Sequence, residues 1–237
     1  MKWLQSFLDN NSLFGRLMTR CGILIAANVL FLVFSLPLVT IGASWTALYY
    51  TMLKTLHGDG ELNPFRIFWQ GFRENFKQAT EGFLLMVLLA AFLILELFWC
   101  SQFPAPVSYF RYGLMALLLA EFVIAAYLFP VMAAFRGTLP ELLQDCIYFA
   151  FQRPAALLQI LFLHIFPILI TYLDSYRLPL YAFCWCVIGF SAIAMTCANL
   201  LIRQFAPLLS SPTDADAPGP RAKSEQETLD EMQKLGM

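Results

Sequence analysis

Residues 21–53 read CGILIAANVLFLVFSLPLVTIGASWTALYYTML, a run of 33 residues without a formal charge. As a single helix this run would extend about 50 Å at about 1.5 Å per residue, whereas the hydrocarbon core of a bilayer is about 30 Å thick. Proline interrupts helical hydrogen bonding, so the chain near Pro37 is expected to turn. We expect a broken helical hairpin with arms near 21–36 and 43–56. The predicted break comprises Pro37, Thr40 and Gly42.

Each arm of this hairpin is short for a full crossing. The hairpin is therefore expected to be partly re-entrant, with its turn buried in protein, because lipid cannot satisfy the backbone hydrogen-bonding groups.

Four further apolar stretches have the length that a bilayer requires, about 17–25 residues. They occupy residues 81–101, 113–135, 155–173 and 180–202. Charged residues make up only 13% of the chain, against about 25% in soluble proteins. These features predict an all-α polytopic membrane protein, with residues 1–208 as one helical domain that begins with a surface helix at 3–20. Residues 209–237 are rich in Pro, Asp, Ala and Ser and are expected to form a disordered cytoplasmic tail.

The positive charges predict the orientation of the chain. If six stretches cross the membrane, only Arg111 and Arg177 of the fifteen Lys and Arg residues lie on one side. The side that is rich in Lys and Arg faces the cytoplasm by the positive-inside rule, which would make both termini cytoplasmic in a bacterial cytoplasmic membrane. A hairpin that crosses only once would place ten cations against five, so six crossings are favoured and five remain the alternative.

An aromatic and basic segment follows the hairpin at residues 57–79. Pro64 suits the first turn of a new helix, and aromatic residues then recur at spacings of three and four. Such a helix lies in the lipid headgroup layer or docks on a partner protein. Its predicted contact residues are Phe65, Phe68, Trp69, Phe72, Arg73, Phe76 and Lys77. A second surface helix is expected at residues 139–152.

Enzymatic and nucleic-acid functions find no support in the sequence. The chain has no Gly-rich phosphate loop, no HExxH or GxSxG motif and only two histidines, so no catalytic residue, cofactor or metal site is predicted. The net charge of −1 gives no reason to expect a nucleic-acid partner. The six cysteines lie in or beside apolar stretches and are expected to pack as small hydrophobic residues, with a Cys100–Cys184 disulfide as the alternative.

Ionisable side chains within the spans are candidates for function, because a charge in hydrocarbon is expensive. They are Glu96, Glu121 and His164. The two glutamates are expected at similar depth on consecutive antiparallel helices, where they could share a proton or coordinate a cation. The alternative is that each of the three side chains makes an interhelical hydrogen bond.

The chain joins a Pro-Thr-Gly break to an aromatic and basic helix. The residues of this combination are Asn28, Pro37, Thr40, Gly42, Ala43, Tyr49, Tyr50, Phe68, Phe72, Asn75, Phe76 and Lys77. In these residues the chain resembles the YesL family of bacterial integral membrane proteins, a domain of unknown function.

The resemblance implies an accessory role beside sugar ABC transporters, because proteins similar to YesL are often linked with carbohydrate uptake systems and glycoside-degrading enzymes. It supplies no catalytic or ligand-binding residue. A small transporter or channel that uses the buried carboxylates at the broken helix is the alternative function. The substrate, the partner's identity and the oligomeric state are not predicted.

Overall fold

The computed structural model describes residues 13–57, 63–103, 109–209 and 221–222, and these residues are almost entirely helical. Eight α-helices are present in this part of the chain: α1 (Leu13–Phe34), α2 (Ile41–His57), α3 (Pro64–Ser101), α4 (Phe110–Ala134), α5 (Leu139–Gln152), α6 (Pro154–Leu173), α7 (Leu178–Cys184) and α8 (Phe190–Leu209). A π-helical turn, Trp185–Gly189, joins α7 to α8. Two short strands, β1 (Phe135–Arg136) and β2 (Arg221–Ala222), pair antiparallel. Most of the surface helix predicted at 3–20 and most of the predicted tail lie outside the described residues.

Five helical segments among the described residues are long and apolar enough to cross a membrane. They are Leu17–Phe34, Pro64–Ser101, Phe110–Ala134, Pro154–Leu173 and Leu178–Phe205. The prediction of an all-α polytopic membrane protein is therefore confirmed. Helix α2 is not among these segments, since it has only 17 residues and most of its side chains are buried.

Helix α3 differs from the sequence expectation, because the predicted surface helix and the span after it form one continuous helix of 38 residues. Asn63 caps its start, where the side-chain oxygen accepts a hydrogen bond from the backbone N–H of Phe65 at 3.1 Å. The helix is about 57 Å long at about 1.5 Å per residue. Arg73, Lys77 and Glu81 are exposed on its first half, so only residues 82–101 suit hydrocarbon, and these extend about 30 Å. The exposed charges of α3 are thus concentrated in its first half.

Helix α2 runs antiparallel to the first half of α3. A Cβ atom on Gly42 would lie 2.5 Å from the carbonyl oxygen of Ala79, and a Cβ atom on Gly71 would lie 2.9 Å from Cβ of Tyr50. These contacts place the start of α2 beside Ala79 and its middle beside Gly71. Helix α2 thus packs on the part of α3 that carries exposed charges. By length and composition five segments of the described chain can cross a membrane, and α2 is not one of them.

The break between α1 and α2 covers residues 35–40 and includes the predicted Pro37 and Thr40, whereas Gly42 lies in the first turn of α2. The hydroxyl of Thr40 lies 2.6 Å from the carbonyl oxygen of Phe34 and 2.7 Å from that of Pro37, so it satisfies backbone groups that the break leaves free. The expectation of a protein-buried turn is wrong, because Leu36 is 79% exposed and Leu38 is 75% exposed.

The densest packing lies at the end of the bundle that α2 and the first half of α3 form. We call it the charged end, and it also contains α5 and the second half of α8. Phe135, Phe149 and Phe205 are fully buried there, with ring centroids 4.8–5.6 Å apart. At the opposite, apolar end, most side chains of α3 after Met86 and of α4 before Glu121 are exposed, as expected for surfaces that face lipid.

All six cysteines are free thiols, and the alternative Cys100–Cys184 disulfide is absent. Cys146 and Cys197 are fully buried in the apolar core, as expected of small hydrophobic residues.

We expect Gly42→Ala to lower the yield of folded protein strongly, because the new methyl group would collide with the backbone of α3 at Ala79. Thermal unfolding and size-exclusion chromatography in mild detergent would measure the effect. Gly113→Ala is the matched control, since no atom lies within 4 Å of a Cβ atom there. Equal stability of the two variants would contradict the close packing of α2 on α3.

Candidate functional site

Glu121 is the most deeply buried carboxyl group of the described chain, with 6% of its surface exposed. It lies on α4 beside the backbone of Ala90 on α3, yet neither carboxyl oxygen has a hydrogen bond of normal geometry to a described residue. An isolated carboxylate in such surroundings is costly. The position therefore suits a carboxyl group that holds a proton or a bound cation.

Glu96 and His164 do not form one hydrogen-bonded group with Glu121 among the described residues. Glu96 is half-buried on α3, six residues beyond Ala90, which corresponds to about 9 Å along the helix. Nδ1 of His164 lies 2.8 Å from the carbonyl oxygen of Ile160 in the same helix. A carbonyl can only accept, so this ring nitrogen carries the proton and Nε2 is left as an acceptor. Within the described ranges, no hydrogen bond or ion pair connects these two side chains to Glu121.

The aromatic residues of α3 divide into a buried set and an exposed set. Phe68 is fully buried and Phe72 nearly so, and both rings contact Phe34 at the end of α1, with centroids 5.7 and 5.0 Å apart. Phe65 and Phe76 are 61% and 42% exposed. The rings at 68 and 72 thus belong to the core and not to a partner surface, which the spacing alone could not distinguish.

The exposed set forms one surface, the aromatic-basic face, which comprises Phe65, Trp69, Arg73, Phe76 and Lys77. At about 100° per residue these positions lie within one third of the helix circumference. All five side chains are exposed, and Trp69 is 46% exposed. This face belongs to the same continuous helix as the apolar residues 82–101.

Asn28 holds α1 to the last membrane segment. Its amide nitrogen donates to the carbonyl oxygens of Trp185 at 3.0 Å and Cys186 at 2.7 Å, and its side-chain oxygen accepts from the N–H of Ser191 at 3.0 Å. A π-helical turn removes the regular partners of nearby backbone groups, and a neighbouring side chain can replace them within a membrane protein. Asn28 is fully buried and has this role here.

A polar cluster inside the charged end was not predicted from the sequence. Tyr49, Tyr127 and Gln204 come from three different helices, and each has a buried polar atom without a hydrogen bond of normal geometry to a described residue. Tyr127 is adjacent to Gln204, and Tyr49 is adjacent to Cys197. In the sequence, this cluster is indicated by polar residues within otherwise apolar stretches. No group of three potential metal-ligating side chains occurs among the described residues.

Two comparisons with known proteins found a match. A family model described as a protein of unknown function, DUF624, matches residues 24–97, which lie in α1, α2 and α3. The uncharacterized protein YesL of Bacillus subtilis (strain 168) is 28% identical over 134 residues. This chain is similar to YesL over about half of its length. The alignment covers 55% of this chain and 63% of its relative, and no solved structure matches.

The residues that carry the YesL resemblance lie mainly in the contacts described above. Asn28 bonds to the π-helical turn, Thr40 closes the break, Gly42 allows the approach of α2, and Phe68 and Phe72 fill the core. The resemblance therefore concerns the packing of α1, α2 and α3. It assigns no ligand.

We expect Asn28→Ala to destabilise the protein by about 1–3 kcal/mol, because buried backbone groups of the π-helical turn would lose their hydrogen bonds. Thermal unfolding in detergent would measure the loss. Asn199→Ala on the exposed side of α8 removes an asparagine without these contacts and serves as the control. A melting temperature that is equally lowered in both variants would count against the role of Asn28.

Proposed function

We propose that this chain is a multi-pass protein of the bacterial cytoplasmic membrane that acts as an accessory subunit of a carbohydrate uptake system of the ABC type. The charged end faces the cytoplasm, and the aromatic-basic face of α3 docks on a component of that system. The YesL resemblance supports the choice of partner, and the shape of α3 supports the choice of surface.

The observation that carries this proposal is the exposure of large aromatic side chains on the first half of α3. Phe65 and Trp69 are exposed on a helix that Phe68 and Phe72 fix to the core. Aromatic residues and arginine are the types enriched at protein interfaces, and a rigid helix loses little entropy on binding. A soluble or membrane-associated protein is therefore a suitable binding partner for this face.

The orientation follows from the positive-inside rule together with the packing of α2. Helix α1 ends at Phe34 against Phe68 and Phe72 in the charged end, so its start at Leu13 points towards the opposite side. Five crossings with ten cations at the cytoplasmic side then place the N-terminus outside. This proposal replaces the arrangement with both termini in the cytoplasm.

Reporter fusions test the orientation. We expect alkaline phosphatase to be active when it is fused before Leu13, and green fluorescent protein to fluoresce when it is fused after Leu209. A fluorescent N-terminal fusion would support six crossings instead and would reject the five-crossing arrangement.

The docking proposal predicts that Phe65→Ser combined with Trp69→Ser abolishes recovery of sugar-transporter components. The measurement is affinity capture from native membranes after brief cross-linking, with mass spectrometry of the recovered proteins. Phe151→Ser is the matched control, because Phe151 is an aromatic residue with 80% exposure on another helix of the charged end. Capture that survives in the double variant would reject this surface, and recovery of the chain alone from the unmodified protein would reject the accessory role.

A small transporter or channel is the second candidate, and buried Glu121 without a normal hydrogen bond favours it. Membrane transporters place such carboxyl groups on ion and proton pathways. In reconstituted vesicles we expect Glu121→Gln to remove proton or cation flux. Glu96→Gln provides the comparison, since Glu96 is only half-buried. Normal flux in the Glu121 variant would remove the carboxyl group from this role.

A further inference from the structure

A groove with a volume of about 330 Å³ lies between α6 and the last membrane segment, away from the aromatic-basic face. One wall comes from α6 and the other from α7, the π-helical turn and the start of α8. The side chains that define the two walls are Phe166, Pro167 and Ile170 on one side, and Tyr181, Trp185 and Ile193 on the other.

The walls of the groove are apolar because their polar atoms bond to each other. The indole N–H of Trp185 donates to the hydroxyl oxygen of Thr171 at 3.1 Å, and that hydroxyl donates to the carbonyl oxygen of Pro167 at 2.7 Å. A Cβ atom on Gly189 would lie 2.7 Å from the Trp185 ring, so this glycine lets the indole lie along the wall. Such a surface can bind hydrocarbon and offers few sites to a polar ligand.

One end of the groove leads to an ion pair whose cation is the more exposed partner. The hydroxyl of Tyr181 donates to the carboxylate of Asp174 at 3.1 Å, and the same carboxylate oxygen lies 3.7 Å from Nε of Arg177. The Arg177 side chain is 65% exposed. A guanidinium has five N–H donors, so this single long contact leaves donors for a further anion.

We propose that the groove binds one acyl chain of a membrane phospholipid and that the lipid phosphate lies at Arg177. Both walls belong to segments that are long and apolar enough to cross a membrane, so the surrounding solvent is hydrocarbon. The cation lies where the chain leaves its last apolar residues, which is the level of the headgroups in the leaflet at the apolar end. An acyl chain beside a phosphate matches both parts of the site. The proposal does not depend on the proposed function.

The test uses the full chain in phosphatidylcholine vesicles that contain phosphatidylglycerol with a diazirine on one acyl chain. After irradiation, mass spectrometry locates the labelled peptides. We expect labelling to concentrate on residues 166–193. Even labelling of all lipid-facing segments, including Leu84–Leu95 of α3, would show ordinary contact with bulk lipid and overturn the proposal, as would cross-links to a second copy of the chain in place of lipid.

Variants that fill the groove provide the second arm of the test. Ile170→Trp on one wall, or Ile193→Trp on the other, is expected to lower groove labelling several-fold. Leu169→Trp is the matched control, because Leu169 is 47% exposed on the same helix and does not line the groove. Unchanged labelling in both filled variants, with the thermal stability of the unmodified protein, would reject an acyl chain in this groove.

The phosphate contact is tested separately. Arg177→Gln is expected to lower labelling by the phosphatidylglycerol probe several-fold but to leave labelling by a diacylglycerol with the same photoactivatable chain unchanged. An equal response of the two probes would reject Arg177 as the phosphate ligand.

Discussion

The approach of α2 to the first half of α3 is the contact on which the remaining structure depends. Two glycines, Gly42 and Gly71, let the helices meet with less than a side chain between them. Once α2 is held there, Trp45 meets Phe31 of α1 and Phe190 of α8, and Tyr49 meets the same region of α8. Helix α2, which is shorter than the candidate spans, thus lies at the centre of the buried core.

The family resemblance and the candidate sites overlap only in part. The matched residues 24–97 cover α1, α2 and most of α3, where Phe34 packs on Phe68 and Phe72. Phe76 and Lys77 belong both to the resemblance and to the aromatic-basic face. The groove beside α6 lies outside the matched residues.

The sequence predicted the spans because hydropathy and bilayer thickness constrain them directly. It predicted the break at Pro37 for the same local reason, since proline and the Thr40 hydroxyl act within a few residues. The continuity of α3 was missed because charges at Arg73 and Lys77 change the solvent around a helix without ending it. The burial of Phe68 depends on Phe34, which is distant in sequence, and no periodicity identifies which neighbour covers an aromatic ring. The sequence did not predict the π-helical turn, to which the amide nitrogen of Asn28 donates two hydrogen bonds.

Helix α3 is one uninterrupted helix, so a tilt of the whole helix displaces both of its ends. Within its 38 residues there is no proline after the first turn and no break in the helix, so it lacks the usual causes of a sharp kink. A helix about 57 Å long that tilts as one body by about 5° displaces one end against the other by about 5 Å. A force on the first turn would then displace the last turn sideways. The contact between Ala90 and Glu121 lies on the path of that movement.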